Sequence, residues 1–353
     1  MALFLPGWPE VPAEYPSDSV GMHPPYDTPA YIFTRKRAPS RPLRYIPQTA
    51  TELYGPVYGH ESVRPEDSDL TRQHDGEPIG ERIRITGRVI DEDGRGVPNA
   101  LFEIWQANAA GRYIHKLDQH LAPLDPNFSG AGRTVTGSDG SYSFTTIIPG
   151  AYPVVGLHNV WRPRHIHISL FGPSFLSRLV TQLYFEGDPL LRYDSIYNAA
   201  PDFSKRGMVA SLDLEATQSE WGLTYRFDIV LRGRNGNYFG KLMRIEAPMT
   251  ITPSQTVGPF YAYCLTPDDY QTIPPIFGRN LATDDAVGQH ISISGTVIDG
   301  DDHVVPDGMI ELWQPDGNGH FVGAQINPRK SSFKGFGRTH CNESGSFTFH
   351  TVK

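Results

Sequence analysis

The sequence predicts an all-β protein made of two tandem copies of one sandwich, the second incomplete. Three observations predict it. Glycine (35) and proline (31) are both frequent among the 353 residues, and aromatics reach 11%. That composition suits short strands joined by turns better than long helices. Several segments alternate apolar and polar residues with the two-residue period of a strand, and the chain repeats itself.

The repeat aligns without gaps. Residues 80–113, "GERIRITGRVIDEDGRGVPNALFEIWQANAAGRY", match 288–321, "GQHISISGTVIDGDDHVVPDGMIELWQPDGNGHF". Gly87 matches Gly295, Pro98 matches Pro306, and Trp105-Gln106 match Trp313-Gln314. The likeness resumes between 130–147 and 335–352. The second copy stops at Lys353, so a counterpart of residues 149–240 is missing. Half a sandwich exposes strand edges and apolar faces. The second half is therefore expected to be unstable unless the first half or another chain completes it.

The elements run in order along the chain. "IRITGRVI" (83–90) turns Ile83, Ile85 and Val89 to one face, and "SYSFTT" (141–146) alternates likewise. "DEDGRG" (91–96) and "GSDGS" (137–141) carry the Asp/Gly chemistry of turns. Strands continue through "HIHISLF" (165–171), "LVTQLYF" (179–185) and "TYRFDIVLRG" (224–233). A weak helical pattern lies at 203–216. These segments divide the chain into an N-terminal arm with loops (1–79), a sandwich (80–240), a linker (241–251) and a half sandwich (252–353).

Charge and cysteine content narrow the function. A net charge of −8 argues against nucleic acid as a partner. No run of about 18 apolar residues offers a membrane span. Cys264 and Cys341 form no CxxC pair, and the N-terminus lacks the basic start of a secretory leader. A reducing, cytoplasmic location is expected.

"WRPRHIH" (161–167) carries the strongest chemical signal. His165 and His167 are two apart on a strand, so both imidazoles face one side. Neutral imidazole suits zinc, copper, nickel and iron alike, and a polar sheet face is the plain alternative. No HExxH motif and no nearby carboxylate completes a familiar site. Tyr113 ("AAGRY") and Tyr152 ("PGAYP") lie in loop-like segments. Such tyrosines usually pack with a wet hydroxyl, but as phenolates they would favour a hard metal such as Fe(III). The residues alone do not choose between these readings.

A resemblance does choose. Residues 101–133, 161–173 and 181–190 closely resemble the β subunit of the protocatechuate-cleaving intradiol dioxygenases, over about residues 20–240. "TPSQTVGPFY" (252–261) and the residues beyond it resemble the N-terminal half of the α subunit in the same family. The resemblance implies a mononuclear, non-haem Fe(III) cofactor held by Tyr113, Tyr152, His165 and His167. Phe321 stands where the second copy would need the counterpart of Tyr113, so one iron site is implied.

The resemblance further implies cleavage of protocatechuate by O2 to 3-carboxy-cis,cis-muconate. Tyr152 would release the metal and accept a proton. Arg162 would stabilise developing charge, and Gln182 would polarise oxygen species. Tyr31, Arg37, Tyr184 and Ile196 would meet the substrate from the β-like part. Thr256, Gly258, Pro259 and Arg338 would meet it from the α-like part. A β-sandwich oligomer, or completion by another α-like chain, is implied too. One residue departs from the family pattern: Val154 follows Tyr152-Pro153 where a Trp is expected, which should loosen packing beside Tyr152. The alternatives are the same chemistry on another catechol such as hydroxyquinol, a silent subunit, and a zinc hydrolase.

Overall fold

The computed structural model describes residues 23–35, 38–39, 41, 63–172, 178–231, 250–267, 270, 272–273, 276–322 and 330–353. Fifteen strands and three short helices lie within them. In the first half, β1 (Arg82–Asp91) pairs antiparallel with β4 (Ser141–Ile147), and β2 (Leu101–Gln106) with β3 (Ala131–Val135). β5 (Tyr152–Pro153) pairs with β6 (Trp161–Arg162). β7 (His165–Phe171) lies between β2 and β8 (Leu179–Phe185).

β9 (Val209–Leu212) joins the two layers. Its first residues continue the β8 ladder, and its last pair with β10 (Leu223–Arg226), which lies against β1. Ile83, Ile85 and Val89 of one layer meet Phe102, Ile104, Ile166 and Ile168 of the other, all fully buried. Burying each of these side chains stabilises the fold by roughly 1.5–3 kcal/mol before chain entropy is counted. Leu70, from the segment ahead of β1, fills the same core.

Two expectations about local structure need correction. The 203–216 helix is realised only at its start: after α1 (Ser195–Ala199), α2 (Asp202–Lys205) runs into a 3-10 turn (Arg206–Met208), and Val209–Leu212 is the layer-joining strand. Its backbone pairs with two neighbours, and that tertiary pairing overrides a weak local pattern. The 224–233 strand is broken, because β10 ends at Arg226 and β11 (Ile229–Leu231) starts anew on β1. Between them Asp228 Oδ1 accepts the Arg88 N–H at 2.9 Å. A Cβ on Gly87 would lie 1.9 Å from the Phe227 carbonyl oxygen, so only glycine admits this crossing.

The second half repeats the first residue for residue. β12 (His290–Thr296) pairs with β15 (Ser346–Val352), and β13 (Met309–Trp313) with β14 (Phe336–His340). Arg82↔Ile147 in β1·β4 becomes His290↔Val352, the register the repeat alignment requires. Ile83 and Ile85 are fully buried, whereas Ile293, at the position of Ile85, is 36% exposed. The expected exposed face is therefore present on β12.

The opposite side of this half is covered by the first. Tyr263, Cys264 and Leu265 of α3 (Ala262–Leu265) pack with Trp105, Tyr113 and Ala131. Ile276, Phe277 and Phe336 pack with Leu101 and Phe171. Among the described residues no helix is long and apolar enough to cross a membrane.

Candidate metal centre

Four side chains from three segments converge beneath the second half. β7 brings His165 and His167 to one face, with ring centres 4.9 Å apart. Tyr152, on β5, places its hydroxyl 3.3 Å from His165 Nε2. Tyr113, at the end of the turn after β2, stands edge-on to Tyr152 with ring centres 5.3 Å apart. The Asp118 carboxylate holds the Tyr113 backbone by accepting its N–H at 2.7 Å. All four side chains are buried.

The histidines are oriented from behind. His165 Nδ1 lies 2.7 Å from the Pro163 carbonyl, which assigns its proton to Nδ1 and leaves Nε2 as a lone-pair donor. Trp105 stacks flat on His167, at 4.9 Å and 4°. Burial, followed by the nearby Arg162 charge, pushes both imidazoles well below their usual pKa, so both are neutral.

The tyrosines are displaced the other way. Burial, then Tyr152, raises Tyr113, while burial raises Tyr152 against the opposing pull of Arg162. A phenolate is thus disfavoured here unless a cation enters. The Tyr113 hydroxyl and His167 Nδ1 are buried and form no hydrogen bond. Orphaned polar atoms of this kind are costly unless something meets them. Two neutral imidazoles and two phenols able to ionise form a donor set matched to a trivalent, oxygen-seeking metal. Among the described residues no cluster of His, Cys, Asp and Glu offers a metal cage, so a site here depends on tyrosine.

A polar network borders the quartet. Arg162, on β6, is buried. Its Nε donates to Asp194 Oδ1 at 2.9 Å and its Nη2 to Asp194 Oδ2 at 3.2 Å. Nη2 also reaches Gln182 Oε1 at 2.5 Å and the Tyr184 hydroxyl at 3.2 Å. Burial works against the guanidinium, but Asp194 together with Tyr152, Tyr184 and Tyr31 outweighs it and keeps the charge. Tyr31 lies over the guanidinium, 5.4 Å from ring centre to Cζ. Tyr31, Ile196 and Val154 form one buried cluster. Val154 is only 3% exposed, with Phe33, Leu157 and Val160 against the cluster.

The α-like segment lies over this network. The Thr256 carbonyl accepts Gln182 Nε2 at 3.3 Å. Gly258 has φ +73°, and a Cβ there would lie 3.3 Å from His167 Cε1. Pro259 is next in the chain, and Phe260 stacks near Tyr113 at 4.9 Å. Thr256 is thus brought to Gln182 and Gly258 to His167, with Pro259 between Gly258 and Phe260 in the chain.

Arg338 is not brought there. It is held at the seam of the two halves by Glu103 (2.6 Å), Glu311 (2.8 Å) and the Leu265 carbonyl (3.1 Å). Its donors are committed to carboxylates, which makes it a clasp between halves rather than a substrate contact. Arg37 lies outside the described residues. The residue reading missed Asp194, Trp105, Asp118 and Gln255. Asp194 precedes a short helix and reads only as a cap, a role it also fills by accepting the Ile196 and Tyr197 N–H groups.

Comparison with known proteins identifies the family. The family profile described as "Dioxygenase" matches residues 53–233, and "Protocatechuate 3,4-dioxygenase beta subunit N terminal" matches 15–49. The protocatechuate 3,4-dioxygenase beta chain of Burkholderia cepacia is 53% identical over 64% of this chain and 94% of its own length. The alpha chain of the same enzyme and organism is 42% identical over 29% of this chain, which spans about half (53%) of that relative's length. A crystal structure of 3-chlorocatechol 1,2-dioxygenase from Rhodococcus opacus 1CP overlaps 48% of this chain and 66% of its own, at 24% identity and a TM-score of 0.38. The chain belongs to the intradiol ring-cleaving dioxygenases, enzymes of catechol-type substrates, as a protocatechuate 3,4-dioxygenase β-subunit-like domain fused to an α-subunit-like domain.

Proposed function

We propose that the chain cleaves protocatechuate between its two hydroxyl-bearing carbons, with O2, to give 3-carboxy-cis,cis-muconate. The observation that carries this reading is the buried quartet of two tyrosines and two neutral histidines with unmet polar atoms. Tyr113, Tyr152, His165 and His167 would hold mononuclear Fe(III). When bound, ferric iron supplies a Lewis acid that binds the diol and draws electron density from the ring.

The chain's own residues do the rest. Tyr152 pairs with Arg162 across the β5·β6 ladder, and its oxygen, ionised to the phenolate when the cation is held, would take one catechol proton. Arg162 keeps a fixed positive charge beside it, so negative charge that develops on the ring oxygens is met without reorganisation. Gln182 holds the guanidinium through Oε1 and the covering segment through Nε2. Gly258 lets that segment pass close over His167, which excludes bulk water from the site. Tyr31 and Ile196 close the side nearest Arg162. The likeness to separate beta and alpha chains supports assembly with further copies or an α-like partner.

The visible spectrum of the purified protein tests the reading. Tyrosinate–ferric charge transfer should give a red-brown band that shifts with protocatechuate and shifts less with hydroxyquinol. A colourless, folded protein that takes up no ferric iron rejects it.

A further inference from the structure

We propose that Gln255, a side chain of the α-like segment, is a positioning residue for Arg162 that acts through the Tyr184 hydroxyl. The inference deepens the ring-cleavage reading, on which the role of Arg162 rests. The segment carrying Gln255 is fixed to β8 on both sides. Gln255 N–H donates to the Val180 carbonyl at 2.7 Å, and Thr181 Oγ1 donates to the Pro253 carbonyl at 3.0 Å. This aims the buried Gln255 side chain inward. Its Oε1 accepts the Tyr184 O–H at 3.1 Å, while its amide faces the sulfur of Met208.

One proton decides the arrangement. A tyrosine hydroxyl donates once and accepts through its lone pairs. Arg162 Nη2 at 3.2 Å, Gln182 Oε1 at 3.2 Å and Gln255 Oε1 at 3.1 Å surround the Tyr184 oxygen, with the Asp194 carboxylate beside them. The guanidinium only donates. Gln182 Oε1 already accepts Arg162 Nη2 at 2.5 Å. With the proton sent to Gln255, a Tyr184 lone pair faces Arg162, and Gln182 Oε1 serves the guanidinium alone. Without Gln255, the hydroxyl must turn to Gln182 Oε1 or to the Asp194 carboxylate, each of which already accepts from Arg162, and compete with the guanidinium there. Gln255 therefore sets the direction of the whole relay, and through it a residue of the α-like half fixes a cation of the β-like half.

The test reads hydrogen exchange of the Arg162 Nε–H by nitrogen-15 NMR in the full, iron-free chain, with turnover of the iron-loaded chain measured beside it. Gln255→Leu should speed exchange about tenfold, as expected for one lost hydrogen bond in a coupled buried network. It should lower kcat with KM little changed. Gln255→Met, which keeps the shape and lacks the acceptor, decides if the leucine variant fails to fold. Gln255→Glu keeps an acceptor oxygen and should retain the protection. In a Tyr184→Phe background, Gln255→Leu should add nothing to the exchange rate. Unchanged exchange in the folded variants, or equal acceleration without the Tyr184 hydroxyl, overturns the proposal. Failure of the ring-cleavage reading would show as absent iron uptake in the unaltered chain and would leave the exchange result readable.

Discussion

Arg162 and Asp194 meet in a two-point contact, Nε to Oδ1 at 2.9 Å and Nη2 to Oδ2 at 3.2 Å, with both side chains fully buried. Removing one partner of such a pair strands a charge away from water. Asp194→Ala is expected to cost about 3–5 kcal/mol in chemical denaturation. Asp194→Asn keeps a cap on α1 but loses the charge that holds the guanidinium, so turnover should fall far more than stability. Arg162→Lys cannot reproduce the two-point geometry and should lower kcat by about 100-fold, the effect of losing one preorganised charge-stabilising donor. Turnover close to that of the unaltered chain in Arg162→Lys would remove the residue from the reaction.

Gly258 lies directly against His167. The positive φ of Gly258 alone makes a side chain costly, by about 1–3 kcal/mol. A Cβ would also press on His167 Cε1 at 3.3 Å. Gly258→Ala should raise KM for the catechol and quicken chymotryptic cleavage after Phe260, because the segment must lift to relieve the contact. Kinetics and proteolysis indistinguishable from the unaltered chain would show that the segment does not cover the site.

Strand periodicity and bounding turn residues were enough to place β1, β4, β7 and β8, although β7 is buried on both faces and β8 nearly so. The repeat also carried the register of the second half, down to His290↔Val352. Layer-joining β9 escaped because its pairing is entirely non-local: Val209 and Ala210 lie against β8, then Ser211 and Leu212 against β10. His165 and His167 were legible as a pair, since a strand enforces their common face. Asp194 and Gln255 were not. Both act by a contact with residues far along the chain, Arg162 and Tyr184, and nothing local in "YDSIY" or "PSQTV" marks such a partner. Arg338 was misread for the converse reason: a short Gly-Arg motif does not reveal the two carboxylates that claim its guanidinium.

Arg338 clasps Glu103 of β2 and Glu311 of β13, residues at matching places in the repeat. Arg338→Met should destabilise the chain by about 3 kcal/mol, because the carboxylate of fully buried Glu103 loses its 2.6 Å partner. Pairing it with Glu103→Leu should recover much of the loss, since no charge is then stranded. A double variant as unstable as the sum of the two singles would mean the clasp is not a coupled pair.

Glu311 makes the same seam sensitive to acid. Burial raises its pKa, but Arg338 and then Arg178 outweigh burial and hold the net value below the ordinary 4.5. Glu103 faces the same two arginines from the other half. A carboxylate with a depressed folded pKa contributes stability that is complete above its unfolded value and lost as pH falls through the folded value. Glu311→Gln lacks that contribution at every pH. The gap in Tm between the unaltered chain and Glu311→Gln should therefore be widest near neutrality, persist down to pH 4.5, and close in more acid solution. The reverse order, a gap that widens below pH 4.5, would require a raised folded pKa and would contradict the ion pairs at the seam. Thermal melts of both proteins across that range, at one ionic strength, decide between the two.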